Sequence, residues 1–189
     1  LAIRSAFMCS VNGLNTSVLA PTTILAKQLF ISFKERLEPF GIKVVFMSRF
    51  STKKEQVAAE ACFMSEQGVV LIGTHKIVFN ELILKKSNLM IVDDEHKFGV
   101  KQKEAAKIIN DKINMLYMSA TPIPRTLKMA LSKVTNISTL STPPKLKIET
   151  NTYVDYFSKK TIQKAVLNEV ERGGQVFFIN NKVRAIPSV

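Results

Sequence analysis

Short apolar runs alternate with stretches of helical period along most of this 189-residue chain, and that rhythm limits the folds open to it. The runs over 17–20, 44–47, 69–72, 89–92, 115–118 and 137–140 are each about four residues long and read as strands. Between them, helical patterns cover 23–37, 53–65 and 101–110, with a short helical turn after Gly73. A further helix opens at Pro124, since proline suits the first helical position. Residues 1–8 are already helical in period, without a capping side chain. A strand–helix alternation of this kind predicts an α/β fold: a parallel sheet with helices on both faces.

Two of the runs stop at chemically informative residues. Leu89-Met90-Ile91-Val92 ends in Asp93-Asp94-Glu95-His96, and Met115-Leu116-Tyr117-Met118 ends in Ser119-Ala120-Thr121-Pro122. A wholly apolar run is a strand buried on both faces. Its polar terminus then lies at the carboxyl edge of the sheet, where open α/β folds bind ligands. Adjacent carboxylates there suit Mg²⁺ beside a nucleotide's phosphates and can orient a water for attack. The plainer alternative is a solvated acidic turn.

Twenty-seven Lys and Arg against fifteen Asp and Glu leave a formal charge of +12, spread along the chain rather than gathered in a tail. With 46% hydrophobic residues the chain can bury a core. A folded, strongly basic domain points to nucleic acid; a generally basic proteome is the alternative. No apolar run approaches the roughly 18 residues of a membrane span, so no membrane partner is expected. Cys9 and Cys62 lack metal-ligand spacing and are expected as buried thiols of a cytoplasmic protein.

Pro143-Pro144 cannot sit inside a central strand, which places a linker at 141–147 between a first domain over 1–140 and a second over 148–189. The second opens with a strand over 149–154, a helix over 158–172, a Gly173-Gly174 stop and a strand over 175–179. The abrupt start and finish read as a fragment cut at both ends.

The acidic box and Ser119-Ala120-Thr121-Pro122-Ile123-Pro124-Arg125 together resemble motifs II and III of superfamily 2 helicases and translocases. The resemblance implies a RecA-like domain that uses ATP and Mg²⁺, followed by the start of a second RecA-like domain. Asp93 takes the position that holds Mg²⁺, through a water. Asp94 stands where the family has the Glu that polarises the attacking water, one methylene shorter; a misplacement of about 1 Å can lower a rate roughly 100-fold. His96 is implied as a link to the facing domain, and Ser119 and Thr121 as the coupling of hydrolysis to movement. Pro21-Thr22-Thr23 resembles motif Ia and Gly73-Thr74-His75-Lys76 motif Ib, both gripping the DNA backbone; helix N-termini suit phosphate. Arg49, in Ser48-Arg49-Phe50, joins them as a DNA contact.

No glycine is followed by lysine, so the G-x-x-x-x-G-K-[ST] phosphate loop is lacking, and with it the strand that carries that loop. The box His96-x-Phe98-Gly99-Val100 and the run 121–127 are shared by two groups: the bacterial transcription-repair coupling factors and RecG-type branch-migration helicases. Ser48-Arg49-Phe50, Ser141-Thr142-Pro143-Pro144 and 173–178 favour the first group. The implied function is then an ATP-dependent double-stranded-DNA translocase that displaces stalled RNA polymerase. RNA polymerase and excision-repair proteins would be met through domains outside this chain. A RecG-type helicase and a non-catalytic DNA-binding remnant are the alternatives.

Overall fold

A computed structural model describes residues 1–77, 79–94, 109–120, 136, 138, 140, 142 and 150–180. The chain divides into two compact units, Leu1–Ile137 and Ser138–Val189. In the first, the elements run α1 (Ala2–Val11), β1 (Thr16–Leu19), α2 (Thr23–Leu37), β2 (Val44–Met47), α3 (Lys53–Ser65), β3 (Val70–Gly73), α4 (Glu81–Lys86), β4 (Leu89–Asp93) and β5 (Asn114–Met118). All strand pairs are parallel, in the order β2-β3-β1-β4-β5.

The period-two alternation of a strand sorts its side chains onto two faces. Leu19, Leu71, Met90 and Val92 point to one side, where Phe63 of α3 and Ile83 and Leu84 of α4 cover them. Val18, Val70, Ile72, Leu89 and Ile91 point to the other, beneath Ala2 and Ala6 of α1 and Phe33 and Leu37 of α2. The strands are therefore largely apolar because both faces are covered, with Thr16 and Ser17 of β1 buried as polar exceptions. Phe33 and Phe63 are the largest fully buried side chains, and each contributes about 1.5–3 kcal/mol of burial.

Connectivity follows from handedness. The chain steps leftward from β1 to β2 through α2 on one face, then rightward through α3 and α4 on the other. Opposite directions on opposite faces keep each crossover right-handed, as nearly all are.

The amino end of the sheet is tied by amides. Asn15, buried just before β1, donates from Nδ2 to the carbonyls of Phe63 (2.8 Å) and Glu66 (3.2 Å) and accepts the Val69 N–H (3.1 Å) at Oδ1. One side chain thus closes the carboxyl end of α3 and anchors the entry to β3. Asn110 does the same for α4, donating to the carbonyls of Leu84 and Ser87 at 2.9 Å.

Helices 23–37 and 53–65 and strand 44–47 fall where the sequence predicts them; β1 and β3 are offset by one residue, and β4 and β5 each gain one at an end. The predicted helices over 101–110 and from Pro124 lie largely outside the described residues. Ser138 and Leu140 of the predicted strand over 137–140 are not in a strand, and Leu140 is exposed. In the second unit, the helix forms as α5 (Lys159–Glu171), capped by the Ser158 hydroxyl and ended at Gly173 with φ +72°. The strands expected over 149–154 and 175–179 do not form in their described residues: 150–154 and 175–179 are without ladder pairing. Tyr153, Val154, Phe177 and Ile179 are exposed. Strand propensity needs a neighbouring strand to become a strand. Cys9 and Cys62 are also half-buried rather than fully buried. Burial and then the neighbouring Glu66 push the Cys62 thiol up.

Candidate nucleotide and nucleic-acid site

Because every strand is parallel, every strand exit lies at the same edge of the sheet. In spatial order that edge carries Ser48–Arg49, Gly73–Thr74, Ala20–Pro21, Asp93–Asp94 and Ser119. Neighbouring strands are about 4.8 Å apart, so residues far apart in sequence become adjacent. Leu19 pairs with Val92, so Ala20–Pro21 and Asp93–Asp94 leave the sheet side by side. The chain leaves β1 in one direction and β4 in the other, which makes the gap between them the topological switch point where such sheets bind ligands.

Asp93 pairs with Met118, which puts Ser119 level with Asp94. Asp93 is half-buried, and its carboxyl is pushed above the usual range first by burial and then by the charge of Asp94, against a backbone hydrogen bond that lowers it. Asp94 has φ +53°, and no other described residue except glycine has a positive φ. Aspartate tolerates this left-handed conformation better than most side chains. It turns the chain sharply out of β4 and presents the second carboxylate at the strand tip. The described residues contain no group of three or more metal-ligating side chains. Two hard oxygen donors at a strand exit fit Mg²⁺, which is held by one or two carboxylates plus phosphate and water rather than by a full protein cage. His96 and Thr121 lie outside the described residues.

On the other side of the switch point, Thr22 caps α2, its hydroxyl oxygen accepting from the Leu25 N–H at 3.3 Å. The hydroxyl proton is still able to donate. Thr22 is exposed, and Pro21 and Thr23 are half-exposed. Arg49 is exposed and its guanidinium lies 4.8 Å from the ring centre of Phe50. Thr74 differs from expectation. Its side chain is only 3% exposed and its hydroxyl has no hydrogen-bond partner among the described residues, so in this conformation it offers no surface contact. Gly73 differs in its reason. A Cβ there would stand 2.1 Å from the Met47 carbonyl oxygen and 3.1 Å from Ile77 Cδ1. The close approach it allows is between the tips of β2 and β3. His75 lies in the 3-10 turn His75–Ile77 that follows.

Sequence reasoning passed over Gln56 and Asn15, and took Lys76 only as the end of the run that resembles motif Ib. Amides that hold loops together have no periodicity or motif, and only the fold reveals their partners.

The DEAD/DEAH box helicase family model matches residues 1–130. The chain is 41% identical, over its whole length, to the transcription-repair-coupling factor of Myxococcus xanthus. It is 38% identical over 98% of its length to that of Escherichia coli (strain K12). It spans 16% of the length of each of these relatives. Among solved structures it is similar to RecG bound to a three-way DNA junction, with a TM-score of 0.71 and 26% identity over 97% of this chain and 25% of that one.

Proposed function

The chain belongs to the DEAD/DEAH box helicase family, and from that premise we propose that it is part of an ATP-dependent translocase acting on double-stranded DNA. The observation that carries the reading is the pair Asp93-Asp94 at the switch-point edge, level with Ser119 and one strand away from the Pro21–Thr23 turn. This arrangement sets a nucleotide-phosphate pole beside a DNA-backbone pole on one rigid sheet.

In this reading Asp93 would hold Mg²⁺ through a water. When bound there, the ion would neutralise phosphate charge as it builds on the transferred group. Asp94 orients the water that attacks the terminal phosphate of ATP, and His96, Ser119 and Thr121 pass the change in the nucleotide to the DNA side. Thr22, Thr23, Arg49 and the main-chain N–H groups after Gly73 contact phosphates of the duplex. Residues 1–140 form the first RecA-like domain, 141–147 a linker, and 148–189 the start of a second.

Identity near 40% to transcription-repair-coupling factors, against 26% to RecG, supports a motor that displaces stalled RNA polymerase in repair. RNA polymerase and excision-repair proteins would be its partners through other parts of a longer polypeptide, in the bacterial cytoplasm. RecG-type branch migration is the second reading, favoured by the TM-score of 0.71.

The test is ATP turnover by the whole polypeptide with and without duplex DNA. Asp93→Ala is expected to abolish Mg²⁺-dependent turnover while leaving the fold intact. Full turnover by that variant would remove the acidic pair from the chemistry.

A further inference from the structure

One side chain joins two of the loops that the DNA reading employs. Gln56, in the first turns of α3, donates from Nε2 to the carbonyls of Ser48 (3.0 Å) and Ser51 (2.6 Å) in the β2–α3 loop. Its Oε1 accepts from Lys76 Nζ at 3.1 Å, in the 3-10 turn after β3. Both amide protons and the amide oxygen are therefore used between two loops.

The loop is also closed on itself. Buried Ser48 accepts the N–H groups of Phe50 (3.2 Å) and Ser51 (3.3 Å), and Ser51 Oγ accepts the Ser48 N–H at 3.2 Å. Thr52 and Glu55 then form a capping box into α3. What projects is Arg49 and the 72% exposed Phe50. The ion pairs among the described residues do not include Lys76. It is exposed, and it retains two further donors while one engages Gln56. Holding a lysine in place before binding removes much of the ordering entropy of a phosphate contact.

We propose that Gln56 is a positioning residue for duplex DNA, fixing Lys76, the end of the motif Ib run, and the Arg49 loop into one cationic surface. This rests on the DNA-backbone reading above. A neutral amide is required. A carboxylate at this position would face the Ser48 and Ser51 carbonyls and neutralise Lys76.

The experiment is a salt titration of duplex affinity in the whole polypeptide. The variants are Arg49→Ala, Lys76→Ala, Gln56→Ala, Gln56→Glu and the double variant Gln56→Ala with Lys76→Ala. Lys76→Ala is expected to weaken unrelated duplexes alike and to lower the slope of log affinity against log salt by about 0.9. Gln56→Ala is expected to weaken binding several-fold, and the double variant to lose clearly less than the product of the two single losses. Gln56→Glu is expected to lower the slope, as Lys76→Ala does. A purely structural role for Gln56 would shift the midpoint and leave its loss multiplicative with that of Lys76, which would overturn the proposal. If neither Arg49→Ala nor Lys76→Ala changes the slope, the DNA-backbone reading itself falls, and this inference with it.

Discussion

Asn15 shows how much one polar side chain can hold. Its amide satisfies two carbonyls at the end of α3 and one N–H at the start of β3. Each buried group left unsatisfied costs about 1–3 kcal/mol. Asn15→Ala is therefore expected to lower stability by about 3 kcal/mol or more, read as a lower denaturation midpoint with the same slope against urea. Asp93 acts in the opposite sense. Burial and the Asp94 charge raise its pKa in the folded state, so the native chain holds that proton more tightly than the unfolded chain. Its contribution to stability is complete below the ordinary Asp value of about 3.9 and is lost as pH rises through the folded value. Asp93→Asn is thus expected to stabilise the fold at neutral pH and to converge with wild type in acid. Thermal melts across that range check it, and added Mg²⁺ should narrow the neutral-pH gap by stabilising wild type alone. At Asp94 two effects compete in Asp94→Glu. On the proposed reading the longer side chain restores the reach toward the attacking water, but glutamate is less at ease at φ +53°. Turnover is expected to rise, while stability falls by about 1 kcal/mol. A rate that falls or stays level would show that Asp94 does not occupy the water-orienting position, or that the site has adjusted around the shorter side chain.

Elements were legible where burial is two-sided and local signals agree. The apolar run over 44–47 and the helix over 53–65 needed only period and length to be placed correctly, and the structure adds the Thr52–Glu55 capping box at the helix start. Thr52→Ala removes that box and is expected to cost about 1 kcal/mol, measurable by denaturation. The exposed stretches 150–154 and 175–179 misled because apolar alternation reports a capacity for burial and not the partner that fulfils it. The acidic box and Arg49 were legible as residue types at strand ends. The burial of Thr74 was not, because it depends on how β3 meets its neighbours. Nor was the role of Gly73, whose missing Cβ makes room for the Met47 carbonyl of β2. Gly73→Ala forces those two strand tips apart. It is expected to cost about 1–3 kcal/mol, the range for overpacking, and to weaken duplex binding because Arg49 and Lys76 sit on the loops that move.

For the whole molecule, the division of labour along one sheet edge sets what these 189 residues can do alone. The exits of β2, β3 and β1, which the proposed function assigns to DNA, are contiguous, and the acidic pair on β4 and Ser119 after β5 complete the edge. The phosphate-loop sequence is not in the chain, as no glycine precedes a lysine. That loop provides the main-chain N–H cradle and the lysine for the β- and γ-phosphates. Mg²⁺ carboxylates without a cradle do not hold ATP in line for attack. The chain by itself is therefore expected to show no DNA-stimulated ATP hydrolysis. Its +12 charge and its cationic strand exits should still give duplex binding, which would fall steeply with salt and be equal for unrelated sequences, because phosphate contacts carry no base information. Two measurements on the purified chain decide this: phosphate release with and without duplex, and affinity for two unrelated duplexes across a salt series. Hydrolysis above background would show that the acidic edge suffices without a phosphate loop. A preference for one duplex that survives high salt would replace backbone contact with reading of the bases.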